Sequence, residues 1–147
     1  MPHYRTTVHT PWPAQRAFEY LSDLEHFAEG DPGVRRSVQV VGDGTSVGAG
    51  FDVTVKSVGR GMTLRYEIVA LDPPVRVEVR AETGKLLSVD VMTFEPADDG
   101  GCLVTYDADL SLKSVFRLAN PILAMVFRRI GDRAAAGLRR VLEGTAP

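Results

Sequence analysis

Apolar and polar side chains alternate with a period of two over most of the chain between Val34 and Leu112, as in β-strands. Five strands have their apolar positions at Val34, Val38 and Val40; Phe51, Val53 and Val55; Met62, Leu64, Tyr66, Ile68 and Ala70; Val75, Val77, Val79 and Ala81; and Val104, Tyr106, Ala108, Leu110 and Leu112. A further strand runs from Leu87 to Phe94. Because each strand has one buried and one solvent-exposed face, we predict a six-strand antiparallel meander.

The segment before the meander predicts one more strand and two short helices. His3 to His9 alternates weakly, and the prolines around Trp12 end this first strand. Ala14 to Leu21 then carries apolar residues at helical spacing, and Leu24 to Glu29 predicts a second short helix. The sheet therefore has about seven strands.

After Ser114 the period returns to 3.6, which predicts a long C-terminal helix. Its apolar face consists of Leu123, Phe127, Ile130, Ala134, Leu138 and Val141, and arginines occupy the other side. At Asn120-Pro121 the helix either kinks or begins anew, with Asn120 as cap. A second stripe of Leu118, Ile122 and Met125 is an exposed partner surface if the helix is continuous, and is buried if the chain turns at Asn120.

Length and composition fit one α+β domain spanning residues 1–147. A chain of 147 residues with 44% apolar and 24% charged residues is ordinary for a single globular core. One antiparallel sheet and one helix have to cover each other. We therefore expect the sheet to curve around the helix and to leave an apolar cavity between them.

The charge argues against nucleic acid as a partner, because the formal net charge is −2 and the pI about 5.9. Residues 114–147 nevertheless hold 6 arginines against 2 acidic residues, which leaves a weak contact with anionic lipid headgroups open. No run of about 18 apolar residues predicts a membrane span. The start of the chain lacks the apolar run of a signal peptide, so we expect a cytoplasmic protein. Monomer and homodimer both remain open.

Neither a metal nor a cofactor is predicted. Cys102 is the single cysteine, so a disulfide within the chain and a thiolate cluster are excluded, and we expect an inert thiol. His3, His9 and His26 are too scattered for a metal-ligand motif. The glycines around Ala49 precede a strand rather than a helix, which favours a turn over a nucleotide-binding loop.

Several segments, taken in order, resemble the START/Bet v 1-like (SRPBCC) superfamily, in its polyketide cyclase/dehydrase and lipid transport branch. They are Ala17–Glu25, Ala70–Pro74, Thr93–Pro96 with Asp99–Gly101 following, and Arg128–Arg133. The resemblance covers nearly the whole chain and implies the helix-grip fold, in which a curved antiparallel sheet wraps a long C-terminal helix. Such proteins often carry a tryptophan after the second short helix. This chain has none there, so either the cavity entrance is wider or another ring, such as Trp12, fills the space.

The resemblance implies that the cavity binds a small hydrophobic or amphipathic ligand, such as a fatty acid, an isoprenoid or an aromatic polyketide. Nine inward-facing residues are predicted to line it: Phe51, Leu64, Tyr66, Val79, Met92, Tyr106, Leu123, Phe127 and Ile130. The tyrosine hydroxyls either orient the polar end of the ligand or belong to an ordinary core. The alternatives to binding are a cyclase or dehydratase that uses the same cavity, and a non-catalytic module that dimerises through the second helix stripe.

Asp90 is the single catalytic candidate, and its orientation is ambiguous. Leu87, Val89 and Val91 mark one face of its strand, whereas Met92 and Phe94 mark the other. If the end of the strand sets the register, Asp90 points into the cavity, where burial favours the neutral acid and permits acid–base catalysis. If the valines point inward, Asp90 faces solvent. Because a catalytic role depends on this one residue, we expect binding rather than catalysis.

Overall fold

The computed structural model describes residues 3–30, 34–55, 62–83, 86–112 and 120–143. The elements in chain order are β1 (His3–Thr10), α1 (Ala14–Ser22), a single 3-10 turn (Leu24–His26), α2 (Phe27–Gly30), β2 (Val34–Val41), β3 (Gly50–Val55), β4 (Met62–Asp72), β5 (Arg76–Glu82), β6 (Leu86–Pro96), β7 (Cys102–Leu112) and α3 (Asn120–Glu143). Within these residues no helix is long and apolar enough to cross a membrane.

All seven strands form one curved antiparallel sheet in the order β1-β7-β6-β5-β4-β3-β2. Strands β2 to β7 are the predicted meander, and β1 completes the sheet by pairing with β7. The predicted α+β helix-grip architecture is confirmed. Strand β6, which carries Asp90, has two neighbours on one side and four on the other, so it lies well inside the sheet.

The predicted inner face is confirmed on the central strands. Phe51 and Val53 on β3, Leu64 and Ile68 on β4, and Val79 on β5 are all buried, and the residues between them are more exposed. The prediction that Val75 lies on this face is wrong. It precedes β5, in the turn after Asp72, and 49% of it is exposed.

The predicted face of β2 is also wrong in part, because the pairing of β2 with β3 shifts register twice. These irregularities turn Ser37 inward, where its hydroxyl donates to the Leu24 carbonyl oxygen at 2.6 Å. Val40 faces outward instead and is 45% exposed. Each bulge adds a residue on one strand only, so strict alternation cannot be followed through it.

Helix α3 lies against β1 and runs in the same direction. Near the start of β1, the Tyr4 hydroxyl donates to the Asp132 carboxylate at 2.9 Å. At the end of β1, the Thr10 hydroxyl donates to the Leu142 carbonyl oxygen at 2.7 Å. Gly131 faces the Tyr4 ring so closely that a Cβ there would lie 2.5 Å from a ring carbon.

The predicted apolar face of α3 is described only toward its end. Leu138 and Val141 pack against the core, and Leu142, which lies beside Val141, is fully buried. The arginines described on the opposite side are exposed: Arg128, Arg129, Arg133, Arg139 and Arg140. The side chains of Leu123, Phe127, Ile130, Ile122 and Met125, and the whole of Leu118, lie outside the described part of the chain. The two alternatives for the second stripe therefore stay open.

The short helices after β1 pack on the sheet as their spacing predicts. Ala17, Phe18 and Leu21 of α1 are buried, and the Phe18 ring meets Phe94 of β6 edge to face at 5.4 Å. Trp12 is buried as well and meets the Tyr20 ring edge to face at 5.4 Å. A large ring is thus packed beside α1.

Candidate functional site

The strand registers align the inner-face residues in rows that cross the sheet. One row contains Phe51, Tyr66, Ala81, Ser88 and Leu110, and the next contains Ile68, Val79, Asp90, Ala108 and Tyr4. Asp90 thus lies near the middle of the inner face. The residues directly across from it, Val79 and Ala108, are apolar.

The orientation of Asp90 is settled by the burial of β6. Leu86, Ser88, Asp90, Met92 and Phe94 are all buried, so a single alternation holds along the strand without a change of phase. Asp90 is 5% exposed. Of the two interpretations of the sequence, the inward one is correct.

Two described hydroxyl groups lie beside the Asp90 carboxylate. The Tyr106 hydroxyl donates to Oδ2, and the Ser88 hydroxyl lies 3.4 Å from Oδ1. The Ser88 oxygen lies in turn 3.0 Å from the Tyr66 hydroxyl. We call Tyr66, Ser88, Asp90 and Tyr106 the inner polar network.

Small neighbours make this network possible. Tyr66 on β4 and Ser88 on β6 are two strands apart, roughly 9.6 Å at the usual strand spacing. The residue between them is Ala81, whose methyl group leaves space for the Tyr66 side chain to extend over β5. Ala108 likewise separates Asp90 from Tyr4, and Tyr106 reaches Asp90 along the diagonal.

The predicted lining residues that the structure describes lie on the inner face of the sheet, as the network does. Phe51, Leu64, Tyr66, Val79 and Met92 are buried on the inner face, and Tyr106 is partly buried there. Leu123, Phe127 and Ile130 are the predicted helix contribution, which lies outside the described side chains. Sequence reasoning passed over Tyr4, although the alternation of β1 places Tyr4 and Val8 on one face.

The remaining candidates show no second site in the described ranges. Cys102 is fully buried, and burial raises the pKa of its thiol, as expected for an inert cysteine. The segment around Ala49 is a turn that leads into β3, with Gly48 at a φ of 95°. No group of three or more His, Cys, Asp or Glu residues among the described ones is placed to hold a metal ion.

The arrangement suits two kinds of chemistry. A buried carboxylate held by hydroxyl donors can accept a hydrogen bond from a ligand, or it can exchange a proton with one. Transfer of an ionised carboxylate from water into apolar surroundings is costly unless hydrogen bonds compensate for it, and the described hydroxyls supply such bonds. Apart from Tyr4, the other described residues of the two central rows are apolar, so the described polar groups of these rows are concentrated at the network.

Comparison with protein families gives a match over nearly the whole chain. The family model described as polyketide cyclase / dehydrase and lipid transport matches residues 1–143. A comparison with curated proteins found no match.

Solved structures share the fold at low sequence identity. A START superfamily protein from Mycobacterium smegmatis superposes with a TM-score of 0.78 at 13% identity, covering 95% of this chain and 96% of that one. A Thermus thermophilus protein gives 0.77 at 17% identity, with 95% of each chain covered. The Zhui aromatase/cyclase from a Streptomyces species gives 0.75 at 14% identity, with 95% and 90% covered. At such identities the likeness concerns the fold alone.

Proposed function

The chain belongs to the polyketide cyclase/dehydrase and lipid transport family, and we propose that it binds a small hydrophobic or amphipathic molecule in a cavity between the curved sheet and α3. Lipids, isoprenoids and polyketides are the candidate ligand classes. The ligand's apolar body lies against the inner face, and its polar group contacts the inner polar network.

One observation carries this proposal: in the two central rows of the inner face, the described polar side chains other than Tyr4 all belong to one network amid apolar residues. Small-molecule sites are mostly apolar, with a few convergent polar groups that fix orientation. Phe51, Ile68 and Val79 supply the apolar surface beside the network, and Asp90 and its hydroxyl partners supply the polar groups.

Titration with the fluorescent probe N-phenyl-1-naphthylamine tests binding directly. We expect saturable binding with a micromolar or tighter Kd, which corresponds to about 8 kcal/mol or more. Mass spectrometry of small molecules extracted from protein purified from its own host identifies the natural occupant. The proposal is contradicted if the fluorescence response is linear and non-saturable and the extract of the purified protein contains no bound small molecule.

A cavity-filling variant separates an open cavity from a tightly packed core. We expect Val79→Phe to fold normally and to bind the probe at least about tenfold more weakly, because the ring occupies ligand space. If the inner face is close-packed instead, the same ring destabilises the fold by about 1–3 kcal/mol. Val40→Phe, at an exposed position of β2, is the control and leaves probe binding unchanged.

The orientation of Asp90 supports a second candidate function, a cyclase or dehydratase that acts on a poly-β-carbonyl chain. In that reaction the Asp90 carboxylate takes a proton from a carbon flanked by two carbonyls. The resulting enolate attacks another carbonyl of the same chain, and the new alkoxide takes the proton back from Asp90. The buried carboxylate beside the Tyr106 hydroxyl is suited to this exchange.

Asp90→Asn distinguishes the two functions, because it keeps the shape of the side chain and removes its ability to exchange a proton. If the protein is a cyclase or dehydratase, Asp90→Asn abolishes cyclisation of a poly-β-carbonyl substrate and preserves probe binding. If the wild-type protein binds the probe and leaves such a substrate unchanged, the binding function alone stands.

A further inference from the structure

The side of α3 that faces away from the sheet carries three arginines in a row. At about 100° per residue, Arg129, Arg133 and Arg140 lie about 160–200° around the helix from Gly131. Because Gly131 faces the Tyr4 ring of β1, the three arginines start on the side of α3 opposite the sheet, and all three are exposed. They extend over about 16 Å along the helix axis. We call Arg129, Arg133 and Arg140 the arginine ridge.

The charges of the ridge are not neutralised by a described carboxylate. No arginine of the ridge forms an ion pair with any described residue. Asp132, the acidic residue within this stretch of α3, accepts a hydrogen bond from the Tyr4 hydroxyl at 2.9 Å and so lies toward β1. Three arginines on the outer face of the sheet, in contrast, each pair with a carboxylate: Arg65 with Asp52, Arg76 with Glu78 and Arg80 with Glu82.

The charge of the chain is divided between its C-terminal part and the rest. Residues 114–147 hold 6 basic against 2 acidic residues, and residues 1–113 hold 11 basic against 17 acidic residues. In about 0.1 M salt, charges are screened over about 10 Å, and a helix with its side chains is about as wide. A partner that lies on the ridge therefore experiences mainly the arginines and little of the acidic excess behind them.

From this charge distribution we infer that the arginine ridge docks the protein on an anionic lipid bilayer. From Arg129 to Arg140, the exposed side chains that the structure describes are all charged except Ala136. Protein–protein interfaces have an apolar core that is depleted of charge, which the described surface of the ridge does not offer. Anionic headgroups attract arginines without such a core, so a bilayer fits the ridge better than a protein partner. The inference goes beyond ligand binding in the cavity and does not depend on it.

Sedimentation with lipid vesicles tests the inference on the wild-type protein. One set of vesicles contains phosphatidylglycerol and phosphatidylcholine in a ratio of one to two, and the other contains phosphatidylcholine alone. In about 0.1 M salt we expect the anionic vesicles to be bound at least about 100-fold more tightly, since each arginine near an anionic surface contributes roughly fivefold. In about 1 M salt the Debye length is about 3 Å, and the preference should disappear.

Two triple variants identify the surface that is responsible. The ridge variant combines Arg129→Gln, Arg133→Gln and Arg140→Gln, which keeps good helix formers on an exposed face. Its binding to anionic vesicles should fall about 100-fold, to the level of the neutral vesicles. The matched control makes the same change of charge on the opposite side of the molecule, where it should alter binding by at most about threefold because of screening. It replaces the three paired arginines of the outer face: Arg65→Gln, Arg76→Gln and Arg80→Gln.

Three results would overturn the inference. They are equal binding to anionic and neutral vesicles, equal losses in the two triple variants, and binding of poly-glutamate as tight as that of anionic vesicles, which would mean that the ridge attracts any polyanion. The proposed function is tested separately, because the vesicles carry no ligand for the cavity and the ridge variant should bind N-phenyl-1-naphthylamine with the wild-type Kd. Loss of probe binding with intact vesicle binding would remove the proposed function alone.

Discussion

Two carboxylates on adjacent strands of the same sheet have opposite surroundings. Asp90 lies across from Ala108 on the inner face, and Asp109, one residue further along β7, lies across from Val89 on the outer face. The described partners of Asp90 are hydroxyls in a buried setting, whereas Asp109 pairs with the exposed His3 at 2.7 Å. The two faces therefore give the same side chain different settings: Asp109 forms a weak exposed pair, and Asp90 is buried beside hydroxyl donors.

The largest expected difference between the faces is in apolar packing. Phe51→Ala should lower the free energy of unfolding by about 3–5 kcal/mol if the fully buried ring lies in packed core. Val40→Ala on the exposed end of β2 should change it by at most about 0.5 kcal/mol. Urea denaturation measures both variants. Equal losses would mean that the two faces are not distinguished by burial.

The next effect separates the two ends of the inner polar network. Tyr106→Phe removes a donor to a carboxylate and should cost about 1.5–3 kcal/mol, and Tyr66→Phe removes a bond between neutral hydroxyls and should cost about 0.5–1.5 kcal/mol. The measurement is again the free energy of unfolding in urea. A larger loss for Tyr66→Phe would contradict the expectation that the bond to the Asp90 carboxylate is the stronger of the two.

A third variant tests the contact of α3 with the inner side of β1. Alanine usually stabilises a helix relative to glycine, but a methyl group at Gly131 would lie 2.5 Å from the Tyr4 ring. We expect Gly131→Ala to lower stability by about 1–3 kcal/mol through overpacking. In a Tyr4→Ala background the same change should become neutral or stabilising. Destabilisation of equal size in both backgrounds would show that the ring is not the cause.

The smallest effect concerns pH and the outer face. The hydrogen bond from the His3 ring to Asp109 raises the pKa of His3 above 6.5. Its contribution to stability is therefore complete below pH 6.5 and disappears as the pH rises through the folded-state pKa. The effect is small because the side chains are 46% and 54% exposed. An NMR titration should show the pKa of His3 falling in Asp109→Asn, and an unchanged value would contradict the pairing.

The sequence predicts the fold well because most strands alternate without interruption. The face of Asp90 could not be predicted, since β6 has apolar residues on both sides. Val89 lies across from Arg80 and Asp109 on the outer face. Although this face is exposed to solvent, the Val89 side chain is partly buried there. Long polar side chains cover apolar surface with their stems, so an outward valine is not a reliable sign of the core.

The rest of the inner polar network depends on geometry that local patterns do not contain. Whether Tyr66 meets Ser88 is decided by the register of β4, β5 and β6 and by the small size of Ala81 between them. The bulges of β2 are a similar case, because nothing in the alternation of Val34, Val38 and Val40 indicates that Val40 turns outward.

The most direct test of ligand binding on the inner face follows the carbon-13 resonances of the Asp90 and Asp109 side-chain carboxyls during a titration with N-phenyl-1-naphthylamine. We predict that the Asp90 resonance shifts in a saturable manner with the same Kd as in the fluorescence titration with this probe, and that the Asp109 resonance stays in place. An unchanged Asp90 resonance in the presence of saturating probe, or a shift of Asp109 alone, would contradict a ligand site at the inner polar network.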